Sequence, residues 1–383
     1  MMLMLAIMVI GFASLLVNSF SRADLNNQRQ AKTAAALAQA KEALIAYAVT
    51  YGDSHPGKVH GYLPCPNLSG GALGATEGSA AGSCAGKNIS QLGRLPWKEL
   101  NLPPLRDGNG ECLWYAVSGT YKNNTPTDLM NWDTNGQLQV YASDGATLLT
   151  PTDNQAVAVI FAPGATQNGQ DRSSGTGTPI CGGNYTAGNY LDSDGTINNA
   201  AVSGAANAAS RFRLGTAAGI NDQLLFITRQ DIWNAMQKRN DFLATLNNLT
   251  QRAAECIAAF GAANGKPVAN PGSNKSLPWA APLVLADYGK NTNYDDQAGL
   301  YAGRIPYKVN DSYSTTGSTM SNFNLLVNAI NCPNGWAAAF PWWENWKDHL
   351  FYALSGAYRP ASIATAPCGN CVTVNGGAPY AAV

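Results

Sequence analysis

Cys368-Gly-Asn-Cys371 has the spacing of a thiol–disulfide redox pair. That chemistry draws on a helix N-terminus, whose dipole lowers the thiol pKa. Here Pro367 precedes the pair and a strand-like Val372-Thr373-Val374 follows, so a structural disulfide closing a small loop is the better reading. The chain has eight cysteines in all, the others being Cys65, Cys84, Cys112, Cys181, Cys256 and Cys332. An even, scattered set reads as a disulfide framework formed outside the cytoplasm. Eight cysteines allow about a hundred pairings. Nearness and position within the repeat described below favour Cys65–Cys84, Cys112–Cys181 and Cys256–Cys332.

Oxygen ligands form a second group. Asp192-Ser-Asp194-Gly195-Thr-Ile197-Asn198 has the alternating acidic and amide side chains and the turn glycine of a calcium loop, with Asp192, Asp194 and Asn198 as the ligand set. It lacks the acidic twelfth position that completes an EF-hand. Asp107-Gly-Asn109-Gly-Glu111 is a second such run. Both also suit plain turns, which Asp, Asn and Gly favour without any metal. Beyond calcium no cofactor is expected.

Acid–base and nucleophilic chemistry is sparse. Three histidines occur, His55, His60 and His349, and only His349 has an acidic neighbour, Asp348. None lies in a C-x-x-C-H haem site or an H-E-x-x-H zinc site. Ser118 and Ser355 lack the flanking glycines of a nucleophile elbow, and no phosphate loop or dinucleotide fingerprint occurs. No catalytic set emerges, and the chain reads as a non-enzyme. The aromatic run Trp336, Phe340, Trp342, Trp343, Trp346, Phe351 and Tyr352 is expected mainly in the core, Trp346 and Phe351 above all. If the segment is extended, one of the adjacent Trp342 and Trp343 points outward and is the candidate interface anchor.

These residues must be positioned by a chain of 383 residues, enough for two ordinary domains. Formal net charge is zero and only 13% of residues are charged. A neutral surface of uncharged polar groups offers no electrostatic footprint for nucleic acid. Low charge also means little self-repulsion, which suits packing against copies of the same chain.

Residues Met1 to Ser21 carry no charge, and Arg22 is the first ionised side chain. Such a run spans or nearly spans a bilayer as a helix, with Met1, Leu5, Ile10, Leu15 and Phe20 among the residues in membrane or filament core. A signal peptide would instead place a basic region before the apolar stretch and a small-residue cleavage site after it. Arg22, Arg29 and Lys32 all lie on the C-terminal side, so the positive-inside rule would keep the rest of the chain in the cytoplasm, against the cysteines. A short basic leader cut away before Met1 resolves the conflict. From Asp24 onward there is no Pro or Gly until Gly52, and Leu37, Ala40, Leu44, Tyr47, Ala48 and Tyr51 recur at steps of three and four. The two segments read as one helix of about fifty residues, about 75 Å long.

That rod, apolar all round in its first half and one-sided in its second, resembles the type IV pilins and pseudopilins. The resemblance implies a cleaved leader, an inner-membrane anchor before assembly, dependence on a pilus assembly machinery, and a filament of this chain or of it with other pilins. Two positions depart from the family pattern. Leu5 stands where pilins usually have Glu, and Arg22 stands where many have Pro. The first departure is shared with atypical minor pseudopilins at filament tips. A further alternative is a membrane-anchored adhesive domain that never polymerises.

Behind the rod, an order of segments occurs twice. Tyr62-Leu-Pro-Cys-Pro66, Gly93-Arg-Leu-Pro-Trp97 and LWYAVSGTYK (113–122) recur as Ser276-Leu-Pro-Trp-Ala280, Gly303-Arg-Ile-Pro-Tyr307 and LFYALSGAYR (350–359), each series following a helical stretch. In the last pair six of ten positions are identical. Strands are expected at 137–142, 154–164 and 221–228, and a hairpin within 371–383 turning at Asn375-Gly376-Gly377. Thr228 is the expected N-cap of a helix with stripe Met236, Leu243, Leu246, Ala253, Ile257 and Phe260.

The expected fold is α+β. A long N-terminal helix (1–52, with 1–21 in membrane or filament core) carries an internally duplicated, pilin-like head with antiparallel sheets. A first repeat (53–228) contains a Gly/Ser/Asn-rich surface insertion (165–210), and a second repeat (229–383) begins with an amphipathic helix. The expected role is a structural subunit of an extracellular filament at the cell surface.

Overall fold

The computed structural model of the chain describes residues 2–68, 76–173, 180–215, 219–264, 277–309, 323–324, 332, 335–359 and 372–383; over 2–21 it describes the helical backbone alone. The fold is mixed α+β, with one long N-terminal helix and curled sheets. The chain forms two compact units. The first comprises Met1–Tyr51, His60–Thr127 and Trp132–Ala235, and the second Gly52–Val59, Asp128–Asn131 and Met236–Val383. By this division Arg229–Ala235 lie in the first unit, while Gly52–Val59 and Asp128–Asn131 belong to the second.

Helix α1 (Met2–Ser54) is continuous. Thr33, Ala36, Leu37, Ala40, Leu44, Ala48 and Tyr51 are buried, a stripe at helical spacing. Its alanines bring the backbone close to its neighbours, and Gly61 N–H donates to the Ala48 carbonyl at 2.8 Å. Lys41 crosses to the Phe226 carbonyl at 3.0 Å.

The sheet of the first unit runs β1 (Gln91–Arg94), β2 (Trp114–Val117), β4 (Ala156–Ala162), β3 (Leu138–Tyr141), β5 (Ser210–Arg213). A sixth strand, β6 (Gln223–Thr228), pairs along β4 from Ala156 to Ala162, while β3 meets β4 only at Leu138↔Ala156. Every residue of β4 is buried, as its unbroken AVAVIFA run requires of a strand with neighbours on both edges and both faces covered. β5 joins β3 in parallel. Buried Tyr190 and Leu191, from the stretch before that strand, join its Phe212 in one core cluster with Trp114, Val140, Val159 and Phe161. The stretch expected as a surface insertion is therefore partly core. Its Gly/Ser/Asn-rich composition concealed the few large apolar residues that decide where it packs.

Thr228 and Asp231 form a reciprocal cap. Thr228 N–H donates to the Asp231 carboxylate at 2.8 Å, and Asp231 N–H donates to Thr228 Oγ1 at 3.3 Å. The helix it opens, α2 (Arg229–Met236), stops short, and α3 (Asn240–Asn264) starts afresh. The break resets the helical phase. Phe242, Leu249, Ala253, Cys256, Ile257 and Phe260 are buried, while Leu243, expected in the stripe, is exposed.

The second unit adds β7 (Ala302–Arg304) paired with β10 (Phe351–Ala353), β8 (Lys308–Val309) with β9 (Phe323–Asn324), and the hairpin β11 (Val372–Thr373) and β12 (Pro379–Tyr380). Asn375 and Gly376 hold the positive φ that the hairpin turn needs. Helix α4 (Trp336–Trp346) replaces the extended segment considered for Trp342 and Trp343. Trp343 is fully buried and stacks on Tyr307, and Trp342 is half-buried, 6.2 Å from Phe242. Trp346 is buried as expected; Phe351 is not, at 60% exposed.

The two units share a set of hydrogen bonds at corresponding positions. Arg94↔Trp114 and Gly93↔Tyr115 pair in the first, Arg304↔Phe351 and Gly303↔Tyr352 in the second. Tyr115 Oη donates to the Pro64 carbonyl at 3.2 Å, and Tyr352 Oη to the Pro278 carbonyl at 3.1 Å. Leu63 N–H donates to Tyr121 O at 2.7 Å, and Leu277 N–H to Tyr358 O at 2.8 Å. Asn67 and Arg94 exchange both backbone bonds, as do Ala281 and Arg304. Ser118 N–H reaches Val157 O and Ser355 N–H reaches Ala381 O, both at 2.9 Å. Both tyrosine hydroxyls sit in burial, which pushes their pKa up and keeps them as neutral donors.

Candidate functional site

The N-terminal helix leaves the head abruptly. Every residue from Arg22 to Lys32 is exposed, and the first buried side chain among the described residues is Thr33. A helix whose residues are all exposed for three turns is not amphipathic there, so burial in its own unit does not account for a rod at that place. The grip begins with Thr33, whose Oγ1 donates to the Arg29 carbonyl and accepts the Gly108 N–H, both at 2.9 Å.

Gly108 lies in the Asp107–Glu111 loop, the second run of oxygen ligands. A Cβ on Gly108 would fall into the Arg29 backbone, so only glycine allows this approach. Asp107 is fully buried and shapes the loop. Its Oδ1 accepts Asn109 and Glu111 N–H at 2.8 and 3.0 Å, and its Oδ2 accepts Gly164 N–H at 2.8 Å. The loop offered by sequence as a cation cradle also forms a collar against the helix where it leaves the unit.

The first oxygen-ligand run is likewise engaged. Asp192 accepts Asn221 N–H at 2.7 Å and Gln170 Nε2 at 2.8 Å. Asp194 accepts Thr196 and Ile197 N–H, both at 2.7 Å, and pairs with Arg213. These turn amides hold its carboxyl below the usual range. Asn198 Oδ1 accepts Ala200 N–H at 2.9 Å. Asp194 and Asn198 thus serve their own turn, while Asp192 ties it to Gln170 and Asn221.

Sequence reasoning missed the partner of this loop. Asp222 is fully buried; its Oδ2 accepts Asp192 N–H at 2.8 Å and Asn199 Nδ2 at 3.0 Å, while Oδ1 has no partner among the described residues. Burial, then the Asp192 carboxylate, push its pKa up to about 8, against Arg172. The folded chain therefore holds a proton between about pH 4 and pH 8 that the unfolded chain has released, and stability falls as pH rises through that window. Asp222→Asn is expected to flatten this dependence and to exceed the wild type at pH 9 by at least about 1 kcal/mol. Denaturant unfolding at pH 5, 7 and 9 checks it; parallel curves for the two proteins would refute it.

The three expected disulfides are present, with Cα–Cα distances of 5.9 Å for Cys65–Cys84, 5.5 Å for Cys112–Cys181 and 4.4 Å for Cys256–Cys332. Cys368 and Cys371 lie outside the described residues. The first bridge encloses Lys122, whose Nζ donates to the Cys84, Ala85 and Gly86 carbonyls at 2.7 to 2.9 Å. Burial pushes this amine down to about 8.

The nucleophile and base candidates hold local contacts. Ser118 Oγ meets Thr120 Oγ1 at 2.8 Å and Ser355 Oγ accepts Val372 N–H at 2.8 Å, neither beside a base. His349 Nε2 stands 3.7 Å from Asp348, whose carboxylate is already held by Asn131 Nδ2 at 3.0 Å. The rod and its collar are thus the feature on which a function can be built.

No protein-family model, no curated protein and no solved structure matches this chain. The functional reading therefore rests on the residues alone. Among the described residues no helix is long and apolar enough to cross a membrane. The side chains of Met1, Leu5, Ile10, Leu15 and Phe20, expected to form the membrane or filament core, lie outside the described residues.

Proposed function

We propose that this chain is a structural subunit of an extracellular, type IV pilus-like filament, assembled through its N-terminal helix. The observation that carries the reading is the three-turn stretch Arg22–Lys32, helical with every residue exposed and touched by the head only where Gly108 meets Arg29, continuous with a longer apolar run. Before assembly that run sits in the inner membrane. Extraction into a filament buries it against other helices, and at about 25 cal/mol per Å² of apolar area such burial holds subunits together without covalent links. The collar fixes the direction in which the rod leaves the head. The disulfides suit an oxidising, extracytoplasmic location.

The head is, in this proposal, a duplicated module. Matching strand register, tyrosine-to-proline hydrogen bonds and serine-to-strand hydrogen bonds in the two units support one ancestral unit copied. Leu5, in place of the usual Glu, favours a second version of the same role, a scarce subunit at the filament tip.

Electron microscopy of sheared surface material, with antibody against the head, tests the proposal. Labelled filaments along their length support a main subunit, and labelled ends support a tip subunit. Label confined to membranes, with no filament, refutes both. Mass spectrometry of the N-terminus adds an independent check, since leader processing leaves an N-methylated Met1.

A further inference from the structure

Lys122 is a cation buried without an anion. The residue is fully buried, and its Nζ donates to the carbonyls of Cys84, Ala85 and Gly86 and, at 3.4 Å, to that of Asn124. All four partners are backbone oxygens, and burial alone accounts for the lowered pKa of this amine. An ammonium has three protons to place. Three consecutive carbonyls take them, so the charge is tolerated for as long as one short loop stays where it is.

That loop is anchored at its ends. Ala81 N–H donates to the Pro66 carbonyl at 3.1 Å, and the Asn88 carbonyl accepts Asn207 N–H at 2.9 Å and Gln137 Nε2 at 3.1 Å. Between these anchors Gly82, Ser83, Ala85 and Gly86 are exposed. Among the described residues, the covalent and polar ties from the rest of the unit to Gly82–Gly86 are the Cys65–Cys84 bridge, the Lys122 amine and Asn124, whose Nδ2 reaches the Gly82 carbonyl.

Bridge and amine meet at one atom. Both sulfurs stand 3.3 Å from the Asn124 carbonyl oxygen that also receives Nζ. The backbone of Lys122 is fixed separately, since its N–H donates to the Ser118 carbonyl at 3.1 Å and the next amide, Asn123 N–H, to Leu63 O at 2.8 Å. A loop that moved away would therefore leave the amine in place and facing water.

We propose that the Cys65–Cys84 bridge is a latch over a latent modification site: when it opens, the Gly82–Gly86 loop leaves Lys122, and Nζ becomes open to acylation. Opening takes two electrons and two protons. A dithiol reductant supplies them, closes into its own disulfide, and leaves Cys65 and Cys84 as thiols. An activated ester then forms an amide bond to Nζ as its ester C–O bond breaks, and its leaving group departs with the amine's proton. While the bridge is closed the amine is committed to carbonyls and covered. The inference is independent of the filament reading, since it concerns the head alone.

The probe is the N-hydroxysuccinimide ester of acetic acid, applied to the full, oxidised chain, with labelled lysines read by peptide mass spectrometry. Lys122 is expected to label at least tenfold more slowly than exposed Lys32. In Cys65→Ser/Cys84→Ser its rate rises at least tenfold, Lys32 is unchanged, and the amides of β4 keep their protection from hydrogen exchange. Lys122 still unlabelled in that variant overturns the proposal. So does exchange that spreads into β4, because the bridge then staples the whole unit and not one loop. Brief dithiothreitol treatment of the wild type repeats the test without substitution. Chains alkylated at Cys65 and Cys84 with Cys112–Cys181 intact carry the label, and such chains without it refute the latch. In the oxidised chain, Lys122→Met is expected to speed exchange of the Ile89 amide, which donates to the Gly86 carbonyl at 3.2 Å, at least tenfold. An unchanged Ile89 amide would show that the amine does not hold the loop, and overturns the proposal as well.

Discussion

Gly303→Ala lowers the unfolding midpoint of the second unit by about 10 °C, the equivalent of about 3 kcal/mol for a unit of this size. Gly303 lies mid-strand, paired with Tyr352 on one edge, while the Ala281 carbonyl closes over it on the other. Any Cβ there collides with that oxygen, a backbone atom which cannot rotate away. The strand must slide, and it carries the Arg304–Ala281 pair of hydrogen bonds with it. Gly93 is the internal control. Its Cβ would stand 2.8 Å from the Asn67 carbonyl, so Gly93→Ala costs less, about half as much. Differential scanning calorimetry of the two variants checks the order. A Gly303→Ala midpoint within a degree or two of the wild type would show that the close approach is not a constraint.

Gly108→Val acts on the rod and not on the sheet. The valine side chain would enter the Arg29 backbone and remove the Gly108 N–H from Thr33. Destabilisation of about 3 kcal/mol is expected, concentrated in the first turns of the gripped helix. Thr33→Val, which only deletes a hydrogen bond, costs about 1 kcal/mol. Hydrogen exchange reads the difference, since amides near Thr33 lose protection in Gly108→Val while those of β4 keep it. Uniform loss across the first unit would mean that Gly108 supports the whole fold and is not a collar. If the filament reading holds, the same variant also lowers filament yield with head expression unchanged.

Much of this architecture was legible. A gap in glycine and proline, together with apolar residues at steps of three and four, marked α1, and its buried stripe follows that spacing. The Thr228–Asp231 cap and the apolar run of β4 were local signals with local causes. The six cysteines paired by proximity and repeat position are joined in the structure as expected. What was hidden depends on distant residues. Nothing in Asp107-Gly-Asn-Gly-Glu announces that its first glycine will lie against the Arg29 backbone. Asp222 carried no motif, since its effect comes from facing Asp192 in a buried place. The register of α3 was misread at Leu243 because a three-residue break between α2 and α3 shifts the helical phase. Phe351 was assigned to core because its counterpart Trp114 sits in a sequence of the same type; what makes Trp114 core is the packing of Tyr190 and Leu191 with it, which no local signal announced.

The composition of the second unit bears on how this protein can be produced in parts. Besides Met236–Val383 it draws on Gly52–Val59 and Asp128–Asn131. Met130 N–H donates to Asn345 Oδ1 and Asn131 Nδ2 to the Asn345 carbonyl, both at 2.8 Å, while Arg239 clasps Asp53 at 2.8 Å. A C-terminal truncate begun at Met236 would leave Asn345 and Arg239 without these partners. No single cut yields both units whole, and expression trials that follow the linear order of the chain would mistake a missing strap for an unstable domain.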